Sequence, residues 1–377
     1  NQIQQNLQSV QKSENGYYLA NELLANPSHS SNVKYFGALT LTVQLTTNSD
    51  SRETLWQLFK CNLLHLSKFC SQYIQNPQDN RSLITIIKKL MSNLSLIFTN
   101  LNESRAEISE ISDEYRITHW NNPVNTLIQL LSQYSSMPED QWSESPQMEQ
   151  ILRQSINSSI SYNDLIQTIQ SSPLCNKLVL MFTEIIVEDL TKFQTRKNHM
   201  SKVYEVVHEH LYISTMALIN ANLTLLHSSE EVLFNCINAW ISYISMARTV
   251  SKHGRMDLSE MFENMINVMC DSTDNTDHFC KAEKILGIIG SVFANDPTLM
   301  GFDLRERIEV IFVGVSRSGR LDISKHNWML QYMNHLVTNE MTEQLKELAV
   351  CMVDFLQINT LDVCNKLFTT ISQSNID

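Results

Sequence analysis

The sequence predicts an all-α fold built from repeated helical hairpins, and three observations lead to that prediction. Glycine and proline are scarce, with 8 and 7 residues among 377, about 2% each against usual levels of about 7% and 5%. Apolar residues recur at helical spacing along nearly the whole chain. Taken in pairs, the resulting segments repeat at about 40 to 47 residues, a period typical of helical-repeat proteins.

The scarcity of glycine is informative because sheets with tight hairpins, and loops that bind phosphate, need glycine for positive φ angles. At 377 residues the chain also exceeds the length at which one core keeps growing, which leaves two domains, one large α/β fold or a stack of repeats. A hairpin is too thin to bury its own apolar face, so neighbouring hairpins must stack. The sequence therefore predicts a right-handed superhelical α-solenoid of HEAT or armadillo-type repeats, with roughly nine units.

Each helix is predicted from apolar side chains at steps of three and four residues. In the segment 32–46 the stripe consists of Val33, Phe36, Leu39, Thr40 and Val43, preceded by the capping residues Ser30, Ser31 and Asn32. A strand over 40–45 is a weaker alternative, because it ignores the six preceding residues that continue the stripe. The predicted helices are 1–13, 16–25, 32–46, 52–75, 81–101, 119–134, 146–157, 161–171, 174–195, 199–226, 230–250, 256–270, 278–294, 299–315, 326–338, 341–358 and 360–372. The polar, acidic segments 102–118 and 135–146 predict loops between helices, so no domain boundary is predicted.

Composition limits the classes of partner. The net charge of −12, from 28 basic and 40 acidic residues, disfavours direct nucleic-acid binding, which needs an excess of Lys and Arg on one face. An acidic surface instead favours basic protein partners. The 8 cysteines lack the spacing of a disulfide framework or a CxxC pair, which predicts buried thiols in a reducing compartment. The chain has no uninterrupted apolar run of the length that spans a bilayer, so no membrane insertion is predicted.

Two motifs suggest chemistry, but each fails at the residues that the chemistry requires. The run 314–321 has the GxxxxG spacing of a phosphate-binding loop, but Arg320 and Leu321 stand where Lys and Ser or Thr are needed. His208 and His210 resemble a metal pair. On an α-helix they would point about 200° apart, so they could not share one zinc ion, and a solvated or capping role is favoured.

No other pattern predicts catalysis or metal binding. Cys270, His278 and Cys280 bracket an acidic loop, but their spacing fits no zinc or calcium ligand scheme. No nucleophile elbow and no Ser, His and acid set occurs, so the chain is not expected to be an enzyme or to hold a cofactor or metal. A stripe of large apolar residues is predicted to be core: Trp240, Ile244 and Ala247.

Acidic stripes are the polar feature that favours a binding function. Like charges four residues apart on a helix cost about 0.2–0.5 kcal/mol unless a cation relieves them. The alternative is an ordinary solvated helix face. The two stripes are Glu184, Glu188 and Asp189 in one helix, and Glu340, Glu343 and Glu347 in another.

An ordered set of motifs resembles the importin-β superfamily of nuclear transport receptors, and within it the relatives of importin 13. The set contains NELLANPSHSSNVKYFGALTLTVQL at 21–45, RSLITIIKKLMSNLSLIFTN at 81–100, WNNP at 120–123, CINAW at 236–240 and FANDP at 293–297. No motif is diagnostic alone, so the resemblance rests on their order along nearly the whole chain. The family pattern extends beyond both ends of this sequence, so the chain is expected to be an excerpt.

The resemblance implies the N-terminal arch of a HEAT solenoid, with residues 1–46 as a partial Ran-binding region and 47–377 as the continuing solenoid. It also implies binding of Ran-GTP, carriage of protein cargo with basic surfaces, contact with phenylalanine-glycine nucleoporins, and shuttling between cytoplasm and nucleus in either direction. The acidic stripes become candidate contacts for Ran or cargo. By the same analogy the Ran-facing candidates are Tyr35, Phe36, Lys88, Ser92 and Asn93.

Two other classes of function stay open on the sequence alone. One is a static helical-repeat scaffold, such as a phosphatase or coat-complex subunit. A transport receptor differs from it by binding Ran more tightly with GTP than with GDP. The other is an all-α enzyme, which would require a closed polar pocket with perturbed titratable groups.

Overall fold

The computed structural model describes residues 2–47, 52–76, 81–103, 120–134, 154, 163–164, 166–167, 172–194, 201–225, 230–250, 256, 258–272, 284–285, 287–289, 291–292 and 299. Within these residues every regular element is a helix, and none is a strand. The all-α prediction is therefore confirmed for the described part of the chain. The segments 326–338, 341–358 and 360–372 lie outside it, and only isolated residues of 146–157, 161–171, 278–294 and 299–315 lie inside.

Most helix bounds agree with the predictions to within three residues. The helices are α1 (Gln2–Lys12), α2 (Gly16–Ala25), α3 (Ser31–Thr47), α4 (Arg52–Gln75), α5 (Arg81–Glu103), α6 (Pro123–Tyr134), α7 (Pro173–Gln194), α8 (Ser201–Val206), a π turn (Val207–Leu211), α9 (Tyr212–Leu225), α10 (Glu230–Val250) and α11 (Ser259–Ser272). The exception is α6, which begins at Pro123 rather than at 119. Asn122 Oδ1 accepts a hydrogen bond from the Asn125 N–H at 3.2 Å, and proline at the first helical position has no N–H to satisfy.

Two compact units make up the chain, and each is described by itself. Unit 1 contains residues 1–219 and 227–254, and unit 2 contains 220–226 and 255–377. In unit 2, α11 buries Met261, Phe262, Met265 and Ile266 on one face. The predicted division into an N-terminal region, 1–46, and a continuous repeat array, 47–377, stays a prediction.

Unit 1 contains two series of neighbouring helices. In the first series α3 contacts α5, α5 contacts α7, and α7 contacts α10. In the second series α2 contacts α4, and α4 contacts α6. The pairs α2 with α3, α4 with α5 and α6 with α7 join one series to the other, so each helix buries apolar side chains against neighbours on more than one side.

Helix α5 shows how much apolar surface this arrangement covers. Arg81–Asn102 is the one stretch in the described residues that is long and apolar enough to cross a membrane by length and composition. However, α5 packs against α3, α4, α7 and α8, and 56% of its most apolar window is buried inside the protein. A core position therefore accounts for the apolar character of α5.

The apolar stripe that predicts α3 does not coincide with the most buried residues of the helix. Of its members Thr40 is buried, whereas Val33, Phe36, Leu39 and Val43 are half-buried. Because α3 contacts α1, α2, α4 and α5, burial extends over several faces and a single stripe cannot describe it. The buried residues of α3 are Gly37, Ala38, Thr40, Leu41, Gln44 and Leu45.

Gly37 allows α2 and α3 to approach closely. A Cβ atom at this position would lie 3.0 Å from Leu24 Cγ, 3.1 Å from Leu23 Cβ and 3.1 Å from the Ala20 carbonyl oxygen. These distances are shorter than ordinary van der Waals contacts, and a larger side chain has no space between the two helices. Glycine is therefore required by packing rather than by backbone conformation.

The predicted core residues and thiols are confirmed where they are described. Trp240, Ile244 and Ala247 are buried. Trp120, from the WNNP motif, is also buried, with its ring centroid 4.8 Å from that of Phe59. The cysteines whose side chains are described are buried and form no disulfide within the described residues, and they are Cys61, Cys70, Cys175 and Cys236.

A buried histidine links α2 to α4. His65 Nε2 lies 2.7 Å from Oδ1 of Asn21, and because an amide oxygen only accepts, Nε2 carries the proton. Burial first, and then the charge of Lys68, lower the pKa of His65 from 6.5 to about 3. His65 is therefore neutral in the folded protein at ordinary pH.

Replacing Gly37 with leucine should destabilise unit 1. We expect Gly37→Leu to lower the free energy of unfolding by about 1–3 kcal/mol or more, because the side chain forces α2 and α3 apart. Gly287→Leu is the matched control, since Gly287 is helical and exposed and nothing lies within 4 Å of its Cβ position. Urea unfolding followed by circular dichroism measures the free energy of unfolding of both variants. Equal stability of Gly37→Leu and the wild type would contradict the close packing of α2 and α3.

The buried imidazole should make stability fall in mild acid. Between about pH 6.5 and pH 3 the unfolded chain binds a proton at His65 that the folded chain does not. The contribution of His65 to the free energy of unfolding therefore falls as the pH drops below about 6.5, by up to about 1.4 kcal/mol per pH unit. His65→Gln keeps an N–H donor for Asn21 but does not titrate. We expect urea unfolding to show the wild type losing stability relative to His65→Gln between pH 7 and pH 4; a constant difference would refute the pKa shift.

Candidate partner-binding surface

The predicted Ran-facing residues occupy α3 and α5 of unit 1. Tyr35 and Phe36 are half-buried on α3. On α5, Lys88 is exposed, Ser92 is half-buried and Asn93 is buried, with 1% of its surface exposed. The side chain of Asn93 is thus inside the protein, while the other four reach solvent at least in part.

Asn93 connects α5 to α3. Its Nδ2 donates to the Ala38 carbonyl oxygen at 3.0 Å, and its Oδ1 accepts from the Thr42 hydroxyl at 2.6 Å. Donor and acceptor of the buried amide are therefore both satisfied by one helix. Asn93 positions α5 on α3, and it acts on any partner through that packing rather than by contact.

The acidic stripe of α7 lies beside the polar residues of α5. The Ser92 hydroxyl donates to Asp189 Oδ2 at 3.0 Å, so a candidate Ran-facing residue contacts a candidate acidic residue. Lys88 is close enough to Glu184 to act on its carboxylate. Two of the predicted Ran-facing residues and the acidic stripe of α7 therefore lie side by side. We call them the α5–α7 surface and define it as Lys88, Ser92, Glu184, Glu188 and Asp189.

Lysines partly neutralise this surface. Lys192 Nζ lies 3.2 Å from Glu188 Oε2 and 3.8 Å from Asp189 Oδ1. The Lys192 and Glu188 side chains are 65% and 48% exposed, so the pairing contributes little to stability. Its effect is on charge, because Lys192 lies in the same helix and makes the end of the acidic stripe a mixed-charge surface.

Carboxylates on the α5–α7 surface are partly desolvated. Burial, with the nearby charges of Glu188 and Glu231, raises the pKa of Glu184 against the opposing effect of Lys88. Burial also raises the pKa of Asp189, although its hydrogen bond from Ser92 and the charge of Lys192 oppose the shift. Ionisation of these carboxylates costs free energy because of their burial, and a cationic group on a partner would reduce that cost.

The candidate histidine motif has a geometry that the sequence reasoning did not anticipate. Residues Val207–Leu211 form a π turn, in which the Tyr212 N–H donates to the Val207 carbonyl oxygen. His208 is half-buried and stacks on Tyr212, with ring centroids 6.3 Å apart. His210 lies 4.0 Å from Glu209, and no group of metal-ligating side chains occurs among the described residues.

The remaining sequence candidates lie outside the part of the chain that the structure describes. They are the acidic stripe Glu340, Glu343 and Glu347, the GxxxxG run 314–321, and the side chains of Cys270, His278 and Cys280. Comparison with known proteins adds no further candidate. No protein-family model matches the chain, and no curated protein matches it.

Removing the charge of Glu184 should stabilise the protein at neutral pH. Because folding raises the pKa of Glu184, its ionised carboxylate destabilises the folded state at pH values above the raised pKa. Below about pH 4.5 the carboxyl is protonated in both states and this destabilisation disappears. We therefore expect Glu184→Gln to melt at a higher temperature than the wild type at pH 7 and the difference to vanish near pH 4. The exposed Glu22 on α2 supplies the control variant, Glu22→Gln, with little change at either pH. A lower melting temperature for Glu184→Gln at pH 7 would refute the unfavourable desolvation.

Proposed function

We propose that this chain is a nuclear transport receptor of the importin-β type, similar to the relatives of importin 13. Its helical hairpins stack as a right-handed superhelical solenoid, bind Ran in the GTP form and carry protein cargo through nuclear pores. Contacts with phenylalanine-glycine nucleoporins and shuttling between cytoplasm and nucleus are part of the proposal. The chain acts by binding and release rather than by catalysis.

The observation that carries this proposal is the order of helix contacts in unit 1. Helices α3, α5, α7 and α10 are successive neighbours, and so are α2, α4 and α6. That pattern is typical of helical hairpins that stack layer on layer, each contacting mainly the next. Proteins of this class present long surfaces to other proteins, which favours a binding function over an active site.

The motifs that carry the family resemblance support a likeness of fold. Trp120 and Trp240 fill the core, and Asn122 caps α6 while its Nδ2 donates to the Ser214 hydroxyl at 2.6 Å. These residues set helix ends and interior packing. The functional part of the proposal therefore depends on surface residues, and among the described candidates on the α5–α7 surface.

The chemistry of the α5–α7 surface fits a charged protein partner. Exposed Lys88 suits an acidic group of the partner, while the partly desolvated Glu184 and Asp189 suit a basic one. A mixed-charge surface contributes to specificity and to the rate of association more than to raw affinity. It is therefore suited to a partner that must be released again.

The proposal predicts nucleotide-dependent binding of Ran. The full-length protein should bind Ran-GTP at least about tenfold more tightly than Ran-GDP, since a tenfold ratio corresponds to about 1.4 kcal/mol of coupling. Lys88→Glu should weaken binding of Ran-GTP by about tenfold because it reverses an exposed charge on the α5–α7 surface. Surface plasmon resonance at fixed ionic strength measures both affinities.

The control variant is Lys284→Glu, the same change at an exposed helical position outside residues 1–46 and outside the α5–α7 surface. It should bind Ran-GTP as the wild type does. Equal affinity for the two nucleotide forms, or no binding to either, would contradict the receptor and favour a static scaffold. Equal effects of Lys88→Glu and Lys284→Glu would leave the receptor standing and remove the α5–α7 surface as the Ran contact.

A further inference from the structure

A cluster of aromatic side chains lies beside the π turn in unit 1. The cluster comprises Tyr204 of α8, His208 of the π turn, Tyr212, and Trp240 and Tyr243 of α10, and we call it the Tyr204–Tyr243 cluster. Ring centroids are 6.1 Å apart for Tyr204 and Tyr243, 5.7 Å for Trp240 and Tyr243, and 5.9 Å for Tyr212 and Trp240. The edge-to-face and tilted arrangements are those that aromatic rings prefer.

The polar atoms of this cluster are buried without protein partners. Trp240 and Tyr243 are completely buried, and Tyr204 is 7% exposed. Within the described residues, four of their polar atoms accept and donate no hydrogen bond to the protein: Tyr204 OH, His208 Nδ1, Trp240 Nε1 and Tyr243 OH. Such groups are rare in native proteins because each loses its hydrogen bonds to solvent on folding. Four in one contacting cluster indicate a shared partner.

The protonation states of the cluster limit what that partner is. Burial raises the pKa of Tyr204 to about 12, and burial with the nearby Tyr204 phenol raises the pKa of Tyr243 above its ordinary value. Both phenols are therefore neutral, with one donor and two acceptor positions each, whereas the indole N–H of Trp240 only donates. A partner must accept from Trp240 and be able both to donate and to accept at the phenols.

The π turn is a second, independent sign of an unusual site. The regular helical hydrogen-bond ladder is interrupted at Val207–Leu211, directly between Tyr204 and Tyr212. Single π turns within α-helices occur frequently at functional sites. Here one of the four residues, His208, lies in the π turn itself, and Tyr204 precedes the turn by three residues.

We propose that the Tyr204–Tyr243 cluster is an internal water-binding site, in which ordered water bridges the two phenol hydroxyls and the Trp240 N–H beneath the π turn. Water is small, uncharged, and both a donor and an acceptor, which matches buried phenol and indole groups on contacting rings. A bridging water is nearly as favourable as a direct hydrogen bond. This site is distinct from the α5–α7 surface and does not depend on binding of Ran.

A crystal structure of the full chain, together with two conservative variants, tests the proposal. Electron density for water should lie within about 3.2 Å of at least two of the four polar atoms. Tyr204→Phe and Tyr243→Phe should each lower the melting temperature by about 2 °C or more, because each leaves the bridging water short of a partner. The melting temperature of the double variant should fall by less than the sum of the two single decreases, since both hydroxyls contact the same water.

Tyr18→Phe is the matched control, because the same hydroxyl is removed from a side chain that is 71% exposed. It should leave the melting temperature unchanged. The proposal requires both the density and the destabilisation. Absence of density at these atoms, density for a larger molecule, or phenylalanine variants that melt at or above the wild-type temperature would each overturn it.

Discussion

The structure depends on one constraint, which is that no helix of unit 1 can cover its apolar surface with a single neighbour. Helix α5 illustrates this most clearly, because it is apolar enough by composition to cross a membrane and yet is a core helix with α3, α4, α7 and α8 around it. Two of its polar residues form hydrogen bonds to neighbouring helices. Asn93 bonds to α3 and Ser92 bonds to α7, so the same helix fixes the spacing of its two neighbours.

Helix positions could be predicted from the sequence because apolar periodicity and scarce glycine are local signals. What could not be predicted depends on other helices. The choice of buried residues in α3 depends on contacts with α1, α2, α4 and α5, which the periodicity of α3 does not contain. The start of α6 depends on the Asn122 cap and on Pro123 rather than on apolar spacing. The π turn at Val207–Leu211 has no sequence pattern of its own, so an α-helix was assumed there.

The candidate surface shows the same limit for function. Along the sequence, Glu184, Glu188 and Asp189 form an acidic stripe and Lys88 belongs to a separate region. Only the packing of α5 on α7 brings them together, with Lys192 pairing two of the carboxylates. Periodicity could identify the faces of single helices, whereas the sign of the charge that a partner meets is a property of two helices and their separation. The resemblance to transport receptors implied a place for the site but not its mixed charge.

The central claim is that the hairpins stack as an extended solenoid, and small-angle X-ray scattering of the full chain in solution tests it most directly. A compact globule of 377 residues has a radius of gyration of about 21 Å. Stacked hairpins that contact mainly their neighbours predict a clearly larger radius, above about 25 Å, with an asymmetric distribution of interatomic distances. A radius near 21 Å with a symmetric, bell-shaped distribution would contradict the solenoid and the transport function that is proposed for it.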